Sequence, residues 1–429
     1  MKLVKSLLLG SAAGLAAVAG AQAADLPSKK AAPVEYVRVC SAHGAGFFYI
    51  PGSDTCIKVG GIARVEYLVN QMYGRANNAY GSGALLRMDF DVRNSTEYGL
   101  LRAFVQLQGA YTNSAYAQSI PAYTATYSGN GVSTATALRH AYIQLGGLTV
   151  GRLQSFYDFY ADNLNFGGSN IGSDRINNVL AYTATFGSGF SGTISLEDAS
   201  NRSLIAGTTV ANLGGYAAAG STMPDIVANL RVDQGWGSAQ LSAAVHQVRA
   251  AWGTNITPSS DYGFAVQGGV KVNLPMIAAG DQLWLQAAYA QGALAYVGVG
   301  NPTLTVGELR VNMADAYYVN GGLSMSSGFS FTGAFLHYWM PTLRSVLWAQ
   351  YQQVDLPSGV GNATGNTNSN NTQAGAQLIW SPIKGLDIGG EVSYYYLSAS
   401  NQTQRLDNAA ATLTSQSGWQ GRLRIQRSF

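Results

Sequence analysis

The chain has 429 residues and a formal net charge of +3, and only 11% of its residues are charged, against about 25% in ordinary soluble proteins. A soluble chain of this size needs charge to cover its outside, so much of this outside does not meet water. At 47% hydrophobic and 11% aromatic residues it is too apolar for a disordered chain, and its near-neutral balance offers no basic stripe to nucleic acid.

Lys2 and Lys5 form a short basic start, an apolar run follows from Leu7 to Ala21, and Ala21-Gln22-Ala23 supplies a small-x-small cleavage pattern. The run is rich in Ala and Gly and falls short of the roughly 20 strongly apolar residues of a spanning helix. Residues 1–23 therefore read as a cleaved signal peptide. Its removal takes away two lysines, lowers the net charge to +1 and leaves 24–429 as one domain. Downstream, polar residues interrupt every apolar stretch. Inside hydrocarbon every backbone N–H and C=O must be paired within the protein, and without spanning helices the remaining solution is a closed β-barrel.

Cys40 and Cys56 are the only cysteines, in a 24–56 segment that precedes the first long strand. In an oxidising compartment an isolated pair forms a disulfide. Two free buried thiols, or a two-ligand metal site, are the alternatives.

From Ile57 onward the pattern has period 2. In 57–69 the apolar set is Ile57, Val59, Val65, Tyr67 and Val69, with Lys58, Arg64 and Glu66 between. In 85–93, Leu86, Met88, Phe90 and Val92 alternate with Arg87, Asp89, Asp91 and Arg93. Segment 262–274 sets Tyr262, Phe264, Val266, Val270 and Val272 against Gln267, Lys271 and Asn273, and 283–289 and 386–396 repeat the pattern. The runs are about 9–14 residues long, which suits tilted membrane strands, and many apolar faces end in aromatic residues. Short connections (93–97, 187–189, 233–237, 275–281, 381–385) alternate with long polar ones (70–82, 113–134, 155–178, 199–224, 251–260, 356–371). The fold expected is all-β: a transmembrane antiparallel barrel of about sixteen strands. Segment 292–330 does not alternate cleanly.

The last strand places Trp419, Leu423, Ile425 and Phe429 on one face and Gln420, Arg422, Arg424 and Gln426 on the other, and the sequence ends on Phe429. That ending resembles the terminal signal by which outer-membrane assembly machinery recognises its clients.

Several stretches resemble the alphaproteobacterial general porin family. They are Glu35-Tyr36-Val37-Arg38-Val39-Cys40, Gly44 to Gly52, Asp54 to Val59, Glu97 to Arg102, Ala141 to Arg152, Ser155 to Phe159 and His337 to Pro341. The resemblance covers essentially the whole mature chain, with the cysteine-bracketed opening its most specific part; 292–320 and 356–371 match no family pattern. It implies a homotrimer of sixteen-stranded barrels in a bacterial outer membrane, in contact with lipid and lipopolysaccharide. Each barrel would carry an inward-folded third loop and a water-filled channel for passive diffusion of small hydrophilic solutes and ions. No cofactor or metal is implied.

A barrel of this size leaves an aqueous channel, and passage is decided where it narrows. Loop 155–178 stands at the family's inward-folded position. It holds Asp158, Asp162 and Asp174, aromatics to pack on the wall, and Gly167-Gly168 for a bend. Arg64, Arg87 and Arg102 share the lumen phase of early strands, with Arg93 nearer a turn. The expected eyelet sets the three aspartates against these three arginines, creating a transverse field.

A hydrolase would need a His paired with Ser, Asp or Asn. His43, His140, His246 and His337 have no such partner at a meaningful sequence spacing, so no catalytic set is expected. A sugar-specific channel would need an aromatic slide, but the lumen-phase Trp284, Trp348 and Tyr142 are scattered. A secreted β-sandwich adhesin or lectin would explain the export signal and the strands, but not the charge deficit or the terminal Phe.

Overall fold

The computed structural model describes residues 38–73, 79–113, 132–161, 163–167, 171–204, 219–251, 259–319, 321–360, 367–404 and 412–429. The expected signal peptide and Asp162 lie outside the described residues. Backbone contacts divide the chain into two units, Met1–Cys56 and Ile57–Phe429.

In the first unit Cys40 and Cys56 form a disulfide with Cα atoms 6.1 Å apart. Bonding to one another removes the free-thiol and metal-site alternatives. Both cysteines are buried with Phe47, and Tyr49 packs against them. Val39 bridges Phe48, and the Arg38 guanidinium lies 4.7 Å over the Tyr49 ring. On the chain-entropy account, closing a loop of about 15 residues contributes roughly 3 kcal/mol.

The second unit is a closed antiparallel barrel of 16 strands. They are β1 (Cys56–Asn70), β2 (Tyr80–Thr96), β3 (Gly99–Asn113), β4 (Val132–Leu145), β5 (Leu148–Gln154), β6 (Ile176–Gly187), β7 (Phe190–Glu197) and β8 (Asp225–Gln234). Then follow β9 (Gly237–Ala250), β10 (Ser259–Asn273), β11 (Gln282–Gln291), β12 (Ser327–Met340), β13 (Leu343–Asp355), β14 (Ser369–Ile383), β15 (Leu386–Gln404) and β16 (Thr412–Ser428). Each strand pairs with the next, and β16 returns to β1 with Ser428 opposite Ile62 and Gln420 opposite Asn70. Phe429 extends this seam: its N–H and C=O both bond to Gly61. Closure leaves the ladder without an open edge, as a hydrocarbon surround demands. The sandwich alternative, with two sheets, does not describe this topology.

The two faces follow the alternation in the sequence. Leu180, Ile194, Leu230, Leu241, Leu285, Leu347 and Val392 point outward and are exposed. Outward aromatics cluster toward both ends of the strands: Phe186, Phe190, Trp236, Trp339 and Trp380 toward the short turns, and Tyr80, Tyr111 and Tyr262 toward the long loops. Such belts mark the two lipid–water interfaces. Inward positions are polar and largely covered, among them Gln240, Gln267, Gln286, Gln350 and Gln377.

Most of 292–326 is not barrel strand, which is why it fails to alternate. It folds as a 3-10 turn (Leu294–Val297) and two hairpins, Thr303–Val306 with Leu309–Asn312 and Ala316–Val319 with Gly322–Met325. Leu294, Tyr296, Val297, Leu309 and Val311 are fully buried, in one cluster with Val354, Leu397 and Ala399. Those three belong to the inward phases of β13 and β15, and Gln352 of β13 donates to the Val297 carbonyl at 2.8 Å. The segment therefore packs on the lumen wall.

Two outcomes test this account. Leu241→Arg, on the outer face, is expected to cost about 2–4 kcal/mol at mid-bilayer depth, read as a lower denaturant midpoint of the heat-modifiable band. Replacing Cys40 and Cys56 together by Ser is expected to leave that band in place while exposing residues 38–56 to limited proteolysis.

Candidate functional site: the inward-folded loop and the lumen wall

β5 ends at Gln154, which pairs with Ile176 of β6, so the intervening loop is 155–175; residues 176–178, expected in the loop, are strand. An irregular segment inside a barrel loses water as a partner for its backbone, and the wall replaces it. Glu197 of β7 accepts from Phe156 N (3.0 Å), and Asn229 of β8 donates to Phe156 O (2.6 Å). Gln240 of β9 donates to Asp158 O (3.1 Å), Gln267 of β10 to Tyr157 O (2.9 Å), and Gln286 of β11 accepts from Tyr160 N (2.9 Å).

Across the lumen, Gln377 of β14 donates to Leu164 O (2.8 Å). The Glu391 carboxylate of β15 accepts from both Phe166 N (2.9 Å) and Gly167 N (3.0 Å). Arg422 and Arg424 of β16 donate to Phe166 O at 3.1 and 2.7 Å.

Wall glycines make sockets for the loop's rings. A Cβ at Gly269 would stand 2.3 Å from Phe159, and one at Gly389 would stand 2.7 Å from Phe166. Trp284 meets Phe159 and Tyr160 edge-on or tilted at 5.3 and 5.7 Å, and Trp348 donates to Glu391. Both tryptophans therefore support the loop, and Tyr142 packs on Phe104 and Arg102. None of these contacts builds a sugar slide.

The expected eyelet residues are distributed as follows. Asp158 is buried at the loop's base, where it accepts from Ser173 Oγ, Arg175 N (2.7 Å) and Gln154 Nε2, and pairs with Arg202 at 3.4 Å. Asp174 is exposed and accepts from Gln154 at 2.9 Å. The protein crowded around it and the neighbouring Asp158 push its carboxyl up from the usual value. Arg64 donates to Gln426 (2.8 Å) and Arg87 to Gln108 (2.6 Å). Arg102 is held by Asp91 at 2.9 Å, as is Arg93 at 2.7 Å, toward the short β2–β3 turn.

The structure thus brings Arg64 and Arg87 to the wall of the passage and Asp174 to the loop. It engages Asp158 and Arg102 in local pairs instead, because each has a nearer opposite charge supplied by another strand or turn. Sequence reasoning did not reach Arg202, Glu391 or the tethering role of Arg422 and Arg424. The lumen phase of 420–426 was a visible signal for the last two.

Arg202 anchors a second buried group. It lies 3.9 Å over the Tyr296 ring, Tyr296 OH donates to Asp225 (2.7 Å), and Asp225 bonds His246 Nδ1 (2.8 Å). Asp315 accepts from Leu204 N (2.6 Å) and Leu294 N (2.7 Å), tying 292–326 to the turn after β7. Burial pushes the Asp315 carboxyl up to about 6, against the lowering influence of His246 and of the two N–H donors. The His246–Asp225 and His337–Asp281 contacts come from strand pairing rather than sequence spacing. Their acids also hold Tyr296 OH and Tyr338 N, which are structural duties.

The sequence profile of the porin subfamily matches residues 25–422. The chain belongs to the porin subfamily. Porin Omp2b of Brucella abortus is 37% identical over 300 residues, spanning 68% of this chain and 75% of that protein, and Omp2b of Brucella canis is 36% identical over the same shares. The outer-membrane channel DcaP of Acinetobacter baumannii superposes with a TM-score of 0.65 over 89% of this chain and 99% of its own, at 16% identity, a likeness of fold. This porin is an integral outer-membrane β-barrel that forms a channel.

One substitution tests the loop's anchoring. Glu391→Gln removes a carboxylate that holds two backbone N–H groups of the loop tip, each such bond contributing about 1.5–3 kcal/mol. The porin should still fold, while single-channel recordings show frequent current fluctuations absent from the parent.

Proposed function

We propose that the open passage runs between loop 155–175 and the β1–β5 wall, and that small hydrophilic solutes and ions cross it passively. The observation that supports this is the distribution of tethers. The loop is bonded to β7–β11 on one side and to β14–β16 on the other, while Arg64 and Arg87 stand at inward positions of the remaining arc. Asp174 belongs to the narrowing, and Asp162, outside the described residues, is assigned to it from the sequence alone. Asp158 holds the loop in shape, and Arg102 steadies the periplasmic side. The barrel makes and breaks no bond in its solutes.

Residues 1–23 direct export and are removed after Ala23. Phe429 serves as the signal to the outer-membrane assembly machinery, and the mature chain works as a homotrimer among lipid and lipopolysaccharide. Family resemblance supports these three assignments.

Planar-bilayer recording of purified porin tests the reading. Conductance steps in groups of three are expected for the trimer, and N-terminal sequencing should begin at Ala24. Deleting the hairpin 303–312, which rests on the lumen wall, should raise the unit conductance if 292–326 narrows the outer half of the channel. Single steps, or a deletion that folds and conducts as the parent does, would remove the corresponding part.

A further inference from the structure

Asp315 is buried and fastens three stretches of chain at one point. Its N–H donates to Leu204 O and its C=O accepts from Ser326 N, both at 2.9 Å. Its carboxylate accepts from Leu204 N at 2.6 Å and from Leu294 N at 2.7 Å. Gly292 N closes the root of the segment on Ser326 O at 2.7 Å. The two ends of 292–326 and the turn after β7 therefore meet at one carboxyl group. The hairpins pack through Leu309, Val311 and Met313 into the buried cluster that contains Val354 and Leu397 of the wall.

The elements packed around that carboxyl bring further ionisable groups. β9 presents His246, whose Nε2 lies 3.9 Å from Asp315 Oδ2, and β8 presents Asp225, 2.8 Å from His246 Nδ1. The turn after β7 brings Arg202, which pairs with Asp158 of the first loop, lies over Tyr296 and stands in the field of Glu197 at the end of β7. The segment itself contributes Tyr296, bonded to Asp225, and Tyr317, in the field of Asp315. The two N–H donors and His246 favour the carboxylate, while burial and Asp225 favour the acid. Burial prevails and pushes the carboxyl up to about 6. Lifted off the wall, the same group meets water and returns to the ordinary aspartate value of about 3.9.

We infer that Asp315 is a proton-operated latch: with a proton on its carboxyl 292–326 stays docked on the lumen wall, and with the proton gone the segment is released more often and widens the outer half of the passage. A proton shifts a two-state equilibrium only by its differential affinity for the two states. Here the docked state binds it more tightly. The proton's stabilisation of docking is complete below about pH 4, falls as pH rises and is gone above about pH 6. The released population is expected to be about tenfold larger at pH 8 than at pH 5. The proton comes from the water of the passage and returns to it, so no other partner is needed. The conductance part of this inference rests on the channel reading above.

Limited proteolysis of the purified full-length porin reads the latch without any current. Cleavage within the hairpin 303–312, normalised to unfolded porin digested in parallel, should be about tenfold faster at pH 8 than at pH 5. Asp315→Asn mimics the protonated acid, so its cleavage should stay at the slow rate at both pH values. In planar bilayers the mean unit conductance of the parent should be lower at pH 5 than at pH 8, and the Asn variant should hold the low value throughout. Cleavage in the parent that does not change with pH overturns the inference, as does a folded Asn variant that keeps the parent's response. Should the Asn variant not fold, the porin lacking 303–312 is read instead: its conductance should lose the pH dependence, and retention of it overturns the inference. A pH response in cleavage with pH-independent conductance overturns the widening of the passage. The same response with no conductance steps at all supports the latch and overturns the channel reading.

Discussion

The structure depends on one requirement: no backbone polar group can be left unpaired where water is excluded. The barrel meets it for its strands by closing β16 onto β1. The inward-folded loop has no ladder of its own, and side chains from the wall take the ladder's place. Asn229, Gln240, Gln267, Gln286 and Gln377 supply amides, and Glu197, Glu391, Arg422 and Arg424 supply charged partners. These residues share the inward phase of eight strands. The loop's path across the lumen is therefore written in the wall as much as in the loop.

The same requirement explains the fold of 292–326. A polar tether, Asp315 to Leu204 and Leu294, fixes its position, and an apolar face against Val354, Leu397 and Ala399 supplies the burial. Apolar residues at inward positions of a water-filled barrel are otherwise unfavourable, so Val354 and Leu397 mark where lumen is filled by protein. The stack of Arg202 on Tyr296 and the edge contact of Tyr157 with Tyr296 (4.7 Å) join this second inward segment to the first. The two loops form one plug-like layer with a shared buried polar group.

Electrostatics follow from this packing. A carboxylate beside a buried arginine has its charge balanced locally, whereas one held by backbone N–H groups keeps its charge and is fixed in place by them. Asp158 is paired with Arg202 and Glu66 with Arg424, while Glu391 is held by Phe166 N and Gly167 N.

The sequence by itself determined the class and the faces of the barrel. Period-2 alternation, as in Tyr262 to Asn273, is a local consequence of strand geometry and survives in any context. It made a Cys40–Cys56 bridge the expected pairing, which the structure contains, and the family resemblance placed the inward loop at 155–178. Tertiary structure alone decided which charges pair, because pairing across strands is set by barrel closure and shear. Asp158 meets Arg202 from a different connection, and Glu66 meets Arg424 at the far end of the chain. Likewise 292–326 carried no period to read, because its order comes from packing onto a wall that exists only once the barrel has closed.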